Sequence, residues 1–481
     1  MARLIYSSVL LTLYLSLQAF LGSNAQLTDF LSIDCGATNP YNDVQLGLKW
    51  ETDDNYIKTG VTKRMKEAQD FPKQLYSYRS FPSRSNKNCY IMPVITHTTY
   101  LLRVRLFPGV VGEKYSVALP VDFNVTFVSN LFFTYSALTD KDRVDVIYES
   151  VFHSFQREEI SLCLLQGSKG TPFINSIELR GLPDTSYHVT RDVGDAKVLV
   201  LGERLNMGTK PGDNSFFRYP DDEFDRFWWS TPRTRFPFNR VDGSSMIGDL
   251  FFKFYEPNTN RIGENWPPNR TYIDAWVGPE FSFELPRKRE DTNKIYTAFY
   301  FKDVRPDSQA NFSNYSFVEW ITVTVGDVSD NIWLCCLRDE NWGVFEDVQL
   351  YDRFIHVNVS HKNDSSIESI VLNGFEYYYK YDFDISSTYS RDIRAVGDLL
   401  VSFQLEDFQG DPCFPVSWDW LTCDLDASRI QKLKLSHMNI SGPIPENISS
   451  LVELTEIYLD NNNLEGPIPY SLTSLTKLRI L

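Results

Sequence analysis

Asp221, Asp222, Glu223 and Asp225 crowd into one short stretch, with Arg218 and Arg226 at its edges. Carboxylates this dense can form a calcium loop, but the regular ligand spacing and the glycine of a calcium hand are missing. An acidic turn neutralised by Arg218 or Arg226 is therefore expected. Paired carboxylates also cleave glycosidic bonds, one as acid and the other as nucleophile or base. The chain has 63 Asp and Glu residues, so pairs abound, yet no string singles one out. Nor do the six histidines form a Ser/His/Asp grouping, and no catalytic, cofactor-binding or metal-binding residue is expected. Trp228, Trp229, Trp266, Trp276, Tyr377, Tyr378 and Tyr379 have apolar ring faces that match sugar C–H surfaces, though such rings more often fill a core.

Seven cysteines stand at 35, 89, 163, 335, 336, 413 and 423. An odd number leaves at least one thiol unpaired if all bonds are internal. Cys335 and Cys336 have no Cys or His near enough to complete a zinc spacing, which leaves a buried thiol or a long-range disulfide. Arg3, the apolar run Leu4 to Leu21 and the small residues Ser23-Asn24-Ala25 read as a cleaved signal peptide with a mature start near Gln26. Ser7, Ser8, Thr12, Ser16 and Gln18 interrupt the run and argue against a membrane-spanning helix, and no other stretch is long and apolar enough. In a secreted chain the Asn-X-Ser/Thr sites at Asn124, Asn269, Asn311, Asn314, Asn358, Asn363, Asn439 and Asn447 become candidate glycan carriers.

The chain's 481 residues are too many for one core. Its 15% aromatic content, spread through short alternating runs punctuated by 24 Gly and 24 Pro, favours β-sandwiches. A net charge of -16 excludes the basic footprint that nucleic acid requires.

A repeat begins after residue 429. Ile430, Leu433, Leu435, Asn439, Ile440, Gly442, Ile444, Pro445 and Ile448 recur 24 residues later as Leu454, Ile457, Leu459, Asn463, Leu464, Gly466, Ile468, Pro469 and Leu472. This is the period of a leucine-rich repeat, with Asn439 and Asn463 expected to satisfy buried backbone groups at the turn. Leu475, Leu478 and Leu481 start a third unit before the sequence ends, so the array reads as cut short. The strand positions Lys432, Lys434 and Ser436, then Glu456, Tyr458 and Asp460, would line the concave face and form a candidate ligand surface. Upstream, GDPCFPVSWDWLTC (410–423) encloses Trp418 and Trp420 between Cys413 and Cys423. A disulfide between these cysteines, with tryptophan packing, would cap the apolar end of the solenoid.

Between 30 and 385 two stretches echo each other. YLLRVRLF (100–107) leads to PFINSIELR (172–180), and YTAFYFKDV (296–304) leads through FVEWITVTV (317–325) to ESIVLNGFEYY (368–378), with Tyr100 and Tyr296 separated by 196 residues. Two related β-sandwiches are expected. The alternation of Val125 and Phe127, and of Ile321, Val323 and Val325, with polar neighbours predicts one buried face per sheet.

FLSIDCG (30–36), YRSFPSRSNKNCY (78–90) and FRYPDDEFDRFW (217–228) resemble the tandem plant malectin-like domain placed before leucine-rich repeats, and the cap resembles that of plant receptor-like kinases. With the GDPC junction, the order is similar to the symbiosis-receptor-kinase type. The resemblance implies a mainly β chain: signal peptide 1–25, malectin-like halves 26–200 and 201–385, linker 386–409, junction and cap 410–429, and repeats 430–481. It implies an extracellular recognition region that senses a glycan, peptide or protein and engages a co-receptor, with proteolytic processing at Gly410, Asp411, Pro412 and Cys413. The kinase domain of such receptors is absent as a set of motifs. A soluble decoy or a secreted carbohydrate-binding protein is the alternative function.

Overall fold

Alternating burial drives about half of the described residues into strands. The computed structural model describes residues 30–481, apart from 66–70, 83–85, 110–115, 129, 143, 184–185, 192–196, 208–215, 231–244, 247–266, 273–275, 279, 287–291, 293, 302–318, 335–340, 350–353, 362–369, 383–385, 406–407, 425 and 427. The expected signal peptide, Cys335 and Cys336 lie outside the described residues. In the strand Val121–Phe127 the side chains of Val121, Phe123 and Val125 are buried while Asn124 is exposed. Ile321, Val323 and Val325 are buried in the same way in Glu319–Val325. Successive side chains in a strand point to opposite faces, so each of these strands carries one core face.

The strands form two layers. One is a long sheet whose main path runs Tyr41–Asp43, Leu48–Thr52, Phe30–Asp34, Ser176–Leu182, Thr99–Leu106, Val146–His153, Lys197–Asn206, Gly374–Asp382, Lys294–Phe301 and Asn341–Gln349. The other layer is split. Lys87–Pro93, Glu159–Gln166, Val121–Phe127 and Asn130–Ala137 cover the first half, and Glu280–Pro286, Phe354–His361, Glu319–Val325 and Val328–Leu334 cover the second. These outer strands occur in matching order, at the spacing of the sequence echo. Aromatic contacts fill the space between layers, such as Phe127 on Phe152 at 4.5 Å and Phe283 on Phe375 at 5.7 Å between ring centres.

The two halves share the long sheet rather than sitting side by side. Lys197–Asn206, which spans residue 200, pairs along the length of Gly374–Asp382 with a bulge between Leu201 and Glu203. Against the first half it pairs only Ser150 with Val200 and Val151 with Leu199. So short a seam of backbone hydrogen bonds cannot by itself fix the halves, and side chains must do the rest.

Inside the stretch expected to be a linker, an α-helix, α1, occupies Ser390–Phe403. Its buried Ala395, Val396, Leu399 and Phe403 follow helical spacing and join the core of the cap and repeats. In its first turn Asp392 accepts hydrogen bonds from Arg429 Nε and Nη2 at 3.0 and 2.9 Å and from the Ile430 amide at 2.9 Å. The repeats form parallel ladders, Lys432 beside Glu456, Leu433 beside Ile457 and Lys434 beside Tyr458.

The turn asparagine stands one position from where the repeat period puts it. Asn439 and Asn463 are exposed. Asn462 holds the turn instead: its Nδ2 donates to the carbonyls of Leu435 and Leu459 at 2.7 and 2.9 Å, and its Oδ1 accepts the Ile440 amide at 3.2 Å. The equivalent position in the first repeat is Met438, which packs against the apolar core. Matching asparagines at 439 and 463 hid this in the sequence, because only backbone geometry tells which side chain turns inward. Asn462→Ala should cost about 1–3 kcal/mol of unfolding free energy by leaving buried carbonyls unpaired, whereas Asn463→Ala should be near neutral, as read by chemical denaturation.

Candidate functional site

The acidic stretch from Asp221 to Asp225 is not a ligand loop. Asp222 accepts Arg226 Nε at 2.9 Å and Trp228 Nε1 at 2.6 Å. Asp225 accepts Arg218 Nε at 2.6 Å and Arg180 Nε at 2.7 Å, and Asp221 pairs with Arg270. Both expected arginines take part, together with others from distant strands.

Arg103, in the central strand, donates to Glu149 at 2.8 Å and to Glu178 at 3.2 Å. Arg204 reaches Glu149 at 2.7 Å and Glu376 at 2.8 Å, and Glu376 also accepts the Tyr300 hydroxyl at 2.7 Å. The result is a buried network of Arg103, Arg180, Arg204, Arg218 and Arg226 with Glu149, Glu178, Asp222, Asp225 and Glu376. It is charge-balanced and crosses the short backbone seam. Burial pushes the Asp225 carboxyl up, but Arg218, Arg180 and Arg103 outweigh it and hold the group well below the usual carboxylate range. Trp228, Tyr377, Tyr378 and Tyr379 are buried here as core, not as sugar platforms. Trp229 is half-buried, and the side chains of Trp266 and Trp276 lie outside the described residues.

A cleft of about 340 Å³ lies beside the first strand, under the loop Ala37–Tyr41 and between Arg64, Lys73 and Tyr76. Gly36 makes this loop possible: its φ is +120°, and a Cβ there would sit 2.8 Å from the Tyr78 carbonyl oxygen. Asp34 forms the floor, accepting the Tyr41 hydroxyl at 2.9 Å and the Ser77 hydroxyl at 3.0 Å. Burial pushes its carboxyl up to about 6. Lys73 Nζ stands 3.5 Å from the centre of the Tyr41 ring, and Arg64 Nη2 donates to Thr38 Oγ1 at 2.6 Å. A carboxylate floor under a cationic rim can accept hydroxyl donors and hold anionic groups. Among the described residues Asp34 is the one carboxylate lining the cleft, so they do not assemble the acid pair of a glycosidase there. Neighbouring Cys35 is a buried free thiol pushed far above its usual pKa, first by burial and then by Asp53.

The repeat residues singled out from sequence share one face, and much of their charge is spent internally. Lys432 Nζ donates to Glu456 Oε1 at 2.7 Å, the Tyr458 hydroxyl donates to Glu456 Oε2 at 3.1 Å, and Ser436 Oγ donates to Asp460. Lys434 is exposed. At the junction Cys413 and Cys423 are bonded, while Pro412 and Cys413 are buried. A second disulfide, Cys89–Cys163, joins directly opposed residues of neighbouring strands. Sequence spacing offered no sign of it, because 74 residues separate the partners. Of the candidate glycan carriers, Asn124 and Asn439 are exposed and Asn358 is half-buried. Asn447 Nδ2 donates to Asp398 Oδ2 at 2.7 Å. The side chains of Asn269, Asn311, Asn314 and Asn363 lie outside the described residues.

Two variants test these assignments. Asp225→Asn leaves three buried arginines short of a charge and should cost about 3–5 kcal/mol in chemical denaturation. Asp34 has a folded-state pKa above its ordinary value, so the folded form holds the proton more tightly; its stabilising contribution is full below about pH 4 and is lost as pH rises through about 6. Compared with Asp34→Asn, the wild type should therefore lose roughly 1–3 kcal/mol between pH 4 and pH 7.5, measured as unfolding free energy across that range.

The Malectin-like domain family model matches residues 33–379, and the Leucine Rich Repeat model matches 429–451 and 453–475. The probable LRR receptor-like serine/threonine-protein kinase At1g67720 of Arabidopsis thaliana is 26% identical over 451 residues, covering 91% of this chain and 46% of that protein. The chain thus spans less than half the length of that relative. The ANX2 ectodomain from Arabidopsis thaliana superposes with a TM-score of 0.53 at 17% identity, over 74% of this chain and 97% of its own. A chain in the crystal structure of the plant peptide RALF23 in complex with FER and LLG2 superposes with a TM-score of 0.52 at 15% identity, over 74% of this chain and 96% of its own. Among the described residues no helix is long and apolar enough to cross a membrane. The chain belongs to the malectin-like domain family, in the arrangement of a plant malectin-like leucine-rich-repeat receptor-like kinase ectodomain.

Proposed function

We propose that this chain is the extracellular recognition part of a plant receptor-like kinase, holding a ligand on the malectin-like body and passing the event to a co-receptor. The observation that carries this reading is the Asp34 cleft, where one buried carboxylate sits under Arg64 and Lys73 with no second acid among the described lining residues to complete a hydrolytic pair. Such a site retains a polar ligand rather than turning it over. The peptide and partner protein in the RALF23, FER and LLG2 complex support a secreted peptide as one ligand class, and the hydroxyl-accepting floor supports an oligosaccharide as another. Exposed Asn124 and Asn439 serve as glycan carriers, and Gly410 to Cys413 as the processing junction.

Binding of secreted peptides and cell-wall oligosaccharides to the secreted chain, by calorimetry or interferometry, tests the proposal. A ligand should bind without being consumed, and Asp34→Ala should weaken it about tenfold or more. Turnover of an oligosaccharide, or a ligand indifferent to Asp34→Ala, would overturn the assignment of the cleft.

A further inference from the structure

The malectin-like halves and the repeats have separate apolar cores: one runs through the sandwiches, and the other gathers α1, the cap and the repeat leucines. Among the described residues, the hydrogen bonds that join them across the junction gather in one place. Lys87 begins the outer strand Lys87–Pro93, is 4% exposed, and donates from Nζ to the carbonyl oxygens of Asp411, Phe414 and Val416 at 2.7, 3.1 and 2.6 Å. An ammonium group has three N–H donors, and this one turn supplies three acceptors. Two residues along the same strand, Cys89 forms the disulfide to Cys163 against which Gly410 lies; a Cβ at Gly410 would stand 2.9 Å from Cys89 Sγ. Gly410 also has a φ of +81°, in the region glycine favours.

The Asp411 carboxylate shapes the turn that presents these carbonyls. It accepts the amides of Thr388, Cys413 and Phe414 at 2.8, 2.9 and 2.9 Å. Two smaller contacts flank the centre, from the Lys58 amide to Gln409 Oε1 at 2.7 Å and from the Asn86 amide to Asp419 Oδ2 at 3.3 Å. Burial pushes the Lys87 ammonium down to about 7 while Asp411 and Asp419 pull it up. A neutral amine has one N–H fewer than the turn has carbonyls to satisfy.

We propose that Lys87 is the positioning residue of a latch whose other half is the GDPC turn, and that this latch holds the malectin-like body and the repeat solenoid in one fixed relation as a composite recognition surface. The residue types of GDPC follow from that role. Gly410 lets the backbone lie on the disulfide, Asp411 folds the turn, Pro412 enters it, and Cys413 ties it to the cap. Opening the latch frees the solenoid as a body without unfolding either core, and it exposes a junction that is otherwise folded away.

The test compares the secreted chain with Lys87→Met, Lys87→Arg and Gly410→Ala, by small-angle X-ray scattering and by timed limited proteolysis mapped over residues 386–428. Lys87→Met should increase the maximum dimension and speed cleavage in that segment on the order of tenfold, with both disulfides intact by mass spectrometry. Lys87→Arg, which keeps the charge but spreads its donors over a larger planar group, should recover part of the protection. Gly410→Ala pushes the turn off the Cys89–Cys163 disulfide while leaving the Lys87 side chain in place, and decides the matter if Lys87→Met fails to fold. An unchanged dimension and cleavage rate in Gly410→Ala and in a folded Lys87→Met would overturn the latch, as would Lys87→Arg opening as far as Lys87→Met.

Discussion

Ten charges buried between the two sandwiches set the terms for the rest of the molecule. Moving an ion out of water costs several kcal/mol, and only close pairing with full hydrogen bonding offsets it. Arg103, Arg180, Arg204 and Arg218 pair closely with Glu149, Glu178, Asp225 and Glu376, and the Tyr187 hydroxyl links the Arg226–Asp222 pair to Glu376. Guanidinium forks are planar and directional, so small displacements of one half against the other break several bonds together. The network therefore supplies the rigidity that two pairs of backbone partners, Ser150 with Val200 and Val151 with Leu199, cannot.

Rigidity of this kind suits recognition. The cleft over Asp34 lies at the far edge of the same continuous sheet, on strands that the network ties to the rest of the body through Arg180, which donates to the Leu31 carbonyl at 2.7 Å. Its floor is pre-organised by the Tyr41 and Ser77 hydroxyls, which hold the Asp34 carboxyl in one orientation. The repeat face is organised by a related principle at the surface, where Glu456 is held between Lys432 and Tyr458.

The repeats solve their own problem of an open apolar end with two devices. The tryptophans of the cap, Trp418 and Trp420, pack 5.8 Å apart, with Phe408 against both. Helix α1 covers what they leave, and its Asp392 reaches the start of the first repeat strand. Because α1 directly precedes the GDPC turn in the chain, the same short region that seals the solenoid also delivers it to Lys87.

Local pattern determined much of this. Strand alternation, the 24-residue repeat period, the echo from Tyr100 to Tyr296, the cap around Trp418 and the arginines flanking the acidic stretch all depend on residues near one another in sequence, where periodicity maps directly onto a buried face. The helical spacing of Ala395, Val396, Leu399 and Phe403 was equally present, but it was obscured by the polar residues between them. Long-range proximity decided the rest. Cys89 finds Cys163, Glu149 bridges Arg103 and Arg204, Asp34 meets Ser77, and Lys87 meets carbonyls more than 300 residues away. None of these meetings leaves a spacing in the sequence, because they are set by strand register and by which charges burial forces together.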